Sequence, residues 1–158
     1  MAARTKARKR ALDVLFEADQ RGINVGDALE SRLKDSGRET PLPAYAVEIV
    51  RGVLARWREL DAILTDASPD WPLTRMPAVD RNLLRIGAWE ILCNDEVSVA
   101  VAIDEAVELA RDLSTDDSPR FVNGVLGRVA REAPALGSAD GGVDGAGDDE
   151  AGGPQEPA

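Results

Sequence analysis

The stretch AYAVEIVRGVLARWRELDAILT, residues 44–65, decides the fold class. Its apolar positions Val47, Ile49, Val50, Val53, Leu54, Trp57, Leu60, Ile63 and Leu64 follow a period near 3.6 from end to end, which predicts one helix over Ala44–Thr65 with its ridge in the core. This is the longest helix expected in the chain. Beyond it, Ser68-Pro69-Asp70-Trp71-Pro72 reads as a turn, because each proline holds the residue before it extended. Leu73 to Met76 gives one helical turn, and a helix follows from about Val79 to Asn94 through Leu83, Ile86, Gly87 and Ile91. Ala100 to Asp112 supplies another through Ile103, Ala106, Val107 and Ala110. The last opens at Ser118-Pro119, with serine expected as N-cap and proline at the first helical position, and stops at Pro134.

Towards the N-terminus, the segment Arg4–Gln20 carries Leu12, Leu15 and Phe16 as an i, i+3, i+4 stripe and ends at Gly22. A short helix from Val25 to about Lys34 follows, with Asp27 offering a start and Gly37 a stop. Arg38–Pro43 is a connection. No segment shows sustained alternation with β-branched enrichment, so the expectation is all-α: a compact bundle of about seven helices joined by short connections.

Composition bounds what such a bundle can do. A chain of 158 residues with 44% apolar and 30% charged residues is expected to form one globular unit, over residues 1–136. The remainder, 137–158, holds six acidic side chains and no basic one amid glycine, alanine and proline. It reads as a disordered acidic tail. No apolar run is long enough to span a membrane, and no apolar region follows the basic start, so a cytoplasmic protein is expected. Cys93, the one cysteine, lies in an apolar run and reads as a buried inert thiol. Histidine is absent, which removes the commonest general base and metal ligand. The 29 acidic residues read mostly as solvated helix surface. No catalysis, cofactor or metal is expected.

Three features remain that can carry binding. Residues 1–10 hold Arg4, Lys6, Arg8, Lys9 and Arg10 with no acidic side chain, although the whole chain carries −10. On a helix these cations crowd two adjoining faces, and two readings stand: an anionic partner that relieves their repulsion through phosphate contacts, or a solvated, frayed terminus of no consequence. The second is Leu113–Leu126. There Asp116 and Asp117 precede a helix start and suit its dipole, Phe121 offers either a core contact or a stacking face, and Asn123-Gly124 sits oddly within a helix. Close helix contact at Gly124 and Gly127 is the expected compensation. The third is Asp80–Ile86, preceded by Trp71 and Arg75, in which Arg81 and Arg85 share a face: a solvated basic edge or a partner surface.

Together, Lys6–Phe16, Val79–Ile86 and Ile103–Ala110 leading to Phe121–Leu126 resemble the NusB transcription antitermination factor family in order and spacing, over about residues 4–131. The resemblance implies an all-helical protein that pairs with a small-subunit ribosomal protein, NusE, and binds the single-stranded boxA element of nascent ribosomal RNA for the elongating transcription complex. It places RNA contacts on Arg4, Lys6 and Arg8, with Lys9 and Arg10 beside them, and on Leu113, Asp117 and Phe121. It places partner contacts on Phe16 and Asp80. Phe16 stands where the family can carry tyrosine and Leu113 where it can carry phenylalanine. Monomer and homodimer both fit. Two other readings are a helical adaptor binding protein alone and the helical appendage of ribosomal RNA methyltransferases. The second lacks the strand and glycine-rich turn of a cofactor domain.

Overall fold

The structure, a computed structural model, describes residues 2–34 and 40–137. The expectations for Gly37 and for the acidic tail beyond Gly137 lie outside them. Seven α-helices and one 3-10 turn make up the described fold, with no strand among the described residues. They are α1 (Ala3–Arg21), α2 (Val25–Lys34), α3 (Ala44–Ala55), α4 (Trp57–Ala67), the 3-10 turn Leu73–Arg75, α5 (Ala78–Cys93), α6 (Val99–Leu113) and α7 (Ser118–Glu132). None is long and apolar enough to cross a membrane.

Caps set the boundaries. Gly22 adopts φ 66°, the left-handed conformation that ends α1, and Ile23 N–H closes the turn on the Ala18 carbonyl at 3.0 Å. The side chain of Asn24, not Asp27, starts α2, accepting from the N–H groups of Gly26 and Asp27 at 2.7 and 3.2 Å. Ser98 caps α6 by accepting from Val101 N–H. At α7 the expected cap shifts by one residue: Asp117 is the N-cap and Ser118 the first helical residue, its hydroxyl turned to Asp80 instead.

The helix expected over Ala44–Thr65 is broken at Arg56, whose φ of −116° lies outside the helical range. The Arg56 guanidinium reaches the Leu136 carbonyl at 3.1 Å, while Leu136 and Gly137 N–H both bond to the Leu92 carbonyl. The break lets α3 lie against α1 while α4 turns towards α7.

Helix α5 is the hub, packing on α1, α3, α4, α6 and α7, and every residue from Asn82 to Glu90 is buried. Two glycines permit this. A Cβ on Gly52 of α3 would lie 2.2 Å from Nε1 of Trp89, and one on Gly87 would lie 2.5 Å from Cδ1 of Leu126 on α7. The close contacts expected at Gly124 and Gly127 are not there. Gly124 faces open space and Gly127 meets only the Arg131 guanidinium, because α7 turns Val122, Val125, Leu126 and Val129 inward instead. Cys93 is half-buried, and burial raises its thiol pKa, keeping it protonated.

Arg81 and Arg85 form no solvated basic edge. Arg81 binds both carboxylate oxygens of Asp19, at 2.8 and 2.7 Å, and Asn82 adds a third bond to Asp19 at 2.9 Å. Arg85 binds both oxygens of Asp61, at 2.8 and 3.0 Å, with its guanidinium over the ring of Trp57. The Arg81 hydrogen bonds hold the Asp19 carboxyl below the usual carboxylate range, and Arg21 does the same for Glu17. A depressed folded-state pKa means the unfolded chain takes up protons first, so this stabilisation is complete above about pH 5 and lost as pH falls through the folded values. Urea midpoints are therefore expected to hold between about pH 7 and 5 and to fall below about pH 4, with a shallower fall in Asp19→Asn.

Candidate nucleic-acid interface

The sequence places five cations in the first turns of α1, and the fold sorts them. Lys6 and Lys9 are exposed, with no ion-pair partner among the described residues. Arg4 is exposed but engaged, 3.3 Å from Glu96 and 4.8 Å from the Tyr45 ring centroid. Arg10 is half-buried and donates to the Thr40 carbonyl.

Arg8 is not on the surface. It is 3% exposed, and its Nε bonds to both oxygens of Glu90, at 3.0 and 2.9 Å, while Nη1 lies 3.3 Å from Glu105. Its Nη2 is buried without an acceptor. Tyr45 donates to the same Glu90 carboxylate and accepts from Asn94 Nδ2. Burial, reinforced by Glu90, pushes the Tyr45 phenol far above its ordinary value, so it stays a hydrogen donor. The expectation of a phosphate contact at Arg8 is thus corrected: this arginine anchors α1 to α5, because a cation at that position of the helix faces a buried carboxylate. Its anchoring presents Lys6 and Lys9 to solvent.

A second region forms where α5 begins. Asp80, expected to meet a partner, is 3% exposed and accepts from Ser114 Oγ at 2.6 Å and Ser118 Oγ at 2.9 Å. It pins the loop between α6 and α7 to the first turn of α5, and the partner contact expected of it gives way to that internal task. Around this loop lie exposed Leu113, exposed Asp117 and half-buried Phe121, whose N–H bonds to the Asp117 carbonyl. Trp71, which sequence reasoning noted without assigning, has its ring centroid 6.3 Å from that of Phe121, tilted 54°. Its setting was a readable signal, since prolines at 69 and 72 keep the indole out of any helix. Phe16, on α1, is 37% exposed.

The expected site residues therefore fall into two groups, one near Glu90 and one near Asp80. These carboxylates stand ten residues apart on α5, about 15 Å along its axis. No cluster of three potential metal ligands occurs among the described residues.

Among the described residues of this all-helical fold, exposed Lys6 and Lys9 thus stand towards the Glu90 end of α5, and the partly exposed Trp71 and Phe121 towards the Asp80 end. A sequence model of the NusB family matches residues 5–131, and the chain belongs to that family. The transcription antitermination protein NusB of Beutenbergia cavernae is 55% identical to it, covering 86% of this chain and 94% of the relative. That of Kineococcus radiotolerans is also 55% identical, covering 82% and 94%. Among solved structures, T. maritima NusB superposes with a TM-score of 0.73 at 31% identity, over 85% of this chain and 94% of that one. A chain from antitermination factors NusB and NusE in complex with double-stranded RNA superposes with a TM-score of 0.68 at 25% identity, over 81% and 96%.

Proposed function

We propose that this chain is a transcription antitermination factor that joins ribosomal protein NusE on the boxA element of nascent ribosomal RNA and supports processive transcription in the cytoplasm. It acts by binding within the elongation complex, without a catalytic step. The observation that carries the reading is the start of α1: a helix anchored through Arg8 holds Lys6 and Lys9 in solvent with no ion-pair partner among the described residues. Arg4 joins them by exchanging Glu96 for a phosphate, and Arg10 lies beside them. These cations supply grip. Asp117 accepts hydrogen bonds from base edges, and Phe121, with Leu113 beside it, supplies apolar contact to bases. Phe16 meets NusE.

Anisotropy titrations of boxA and scrambled single-stranded RNA, with and without NusE at several salt concentrations, test this. Replacing both Lys6 and Lys9 by glutamine is expected to flatten the slope of log K against log salt by about 1.4, two single-strand phosphate contacts at about 0.7 each. An unchanged slope and no boxA preference would leave an adaptor that binds protein alone.

A further inference from the structure

We propose that Trp71 is a nucleobase-stacking residue, forming with Phe121 a two-ring seat for an unpaired base of single-stranded RNA; this rests on the RNA-binding reading above. Trp71 is 50% exposed, more than any other large apolar side chain among the described residues. The other tryptophans are committed elsewhere: Trp89 is buried, and Trp57 lies under Arg85.

The backbone that carries the exposed indole is held in place. Trp71 N–H bonds to the Ser68 carbonyl at 3.1 Å, and buried Ser68 bonds through its hydroxyl to Leu64. The 3-10 turn that follows is tied down by Arg81, which donates to the carbonyls of Leu73 and Met76. Phe121 sits on α7, whose first residue is fastened to Asp80. Both rings thus project from fixed backbone, which lowers the ordering cost of stacking a base on them.

Charge around the pair indicates which part of a nucleotide it meets. Arg75 and Arg120 are exposed and without an acidic partner among the described residues, but Asp70, Asp116 and Asp117 are exposed on the same loops. That mixture makes a poor phosphate clamp. It suits a base, whose flat face takes the rings and whose amino groups find carboxylate acceptors. The α1 start and the Trp71 seat then differ in kind: affinity at the first depends steeply on salt, and affinity at the second does not.

Tryptophan emission during titration of the NusE-bound chain with boxA-type single-stranded RNA reads this directly. Quenching is expected, and Trp71→Leu is expected to abolish it and to weaken RNA binding about 5- to 100-fold with the salt slope unchanged. Trp71→Phe is expected to recover most of the affinity, and thermal melts of both variants to match the parent, since the side chain is half in solvent. Parent-like RNA affinity in Trp71→Leu overturns the proposal while leaving RNA binding intact. Full quenching by NusE before RNA is added also overturns it, assigning the rings to the protein partner. Absence of any RNA binding by the parent chain overturns this proposal and the antitermination reading together.

Discussion

Glu90→Ala is expected to lower the unfolding free energy by about 3–5 kcal/mol, a large part of the roughly 5–15 kcal/mol that holds a small domain folded. Glu90 is 1% exposed and takes two hydrogen bonds from Arg8 and one from Tyr45. Removing it strands a cation that is itself buried, one of whose nitrogens already lacks an acceptor. Glu105, 3.3 Å from Nη1 and partly exposed, is the anion that remains beside it among the described residues. Urea unfolding is expected to show a lower midpoint at unchanged m-value. Hydrogen exchange is expected to localise the loss to the first turns of α1. Glu90→Gln, which keeps an acceptor, is expected to lose less. Equal losses in the two variants would mean that the charge of Glu90, and not the neutral acceptor that glutamine keeps, stabilises the helix. RNA affinity should fall with the α1 start, since Lys6 and Lys9 are displayed only while that helix is docked.

Gly52→Ala is expected to cost about 2–3 kcal/mol, and to do so against a helix preference of about 1 kcal/mol in favour of alanine. The added methyl carbon would sit 2.2 Å from Nε1 and 2.3 Å from Cε2 of Trp89. Trp89 is buried against Tyr45, with ring centroids 6.4 Å apart, so moving the indole disturbs the residue that donates to Glu90. Gly124→Ala is the control, because it adds the same carbon in mid-helix with nothing within 4 Å. It is expected to raise stability by about 0.5–1 kcal/mol. Denaturation midpoints that move the same way in both variants would remove the close-approach account of Gly52.

The all-helical class was legible because buried positions recur with the helical period in α1, α3, α4, α6 and α7, although α5 is buried without a break from Asn82 to Glu90. The break at Arg56 was not, for a specific reason: the buried and half-buried series Ala46, Ile49, Val50, Val53, Trp57, Leu60, Leu64 keeps helical spacing straight through it. What ends α3 is a change of direction supported by a carbonyl 80 residues away, at Leu136. Arg8 was misplaced for the same kind of reason. A cation flanked by cations reads as surface, and the carboxylate that buries it lies 82 residues further along. Charge near Asp80 misled in the opposite sense, since a carboxylate at a helix start reads as exposed until Ser114 and Ser118 fold back on it. Lys6, Lys9, Asp117 and Phe121, which carry the proposed contacts, could be named as candidates from sequence; the split into two regions required the antiparallel run of α1 beside α5, which only tertiary contacts reveal.

That split turns the molecule into a ruler. With Glu90 and Asp80 about 15 Å apart along α5, a strand stacked at about 3.4 Å per nucleotide would run for about five nucleotides to pass both anchors, so on the proposed reading an RNA that meets both the lysines and the rings has at least about that length. A shorter oligonucleotide meets either end alone and forfeits the local concentration that the first contact creates for the second. On the proposed reading, length, before any base is read, would be the first property by which this surface selects its RNA.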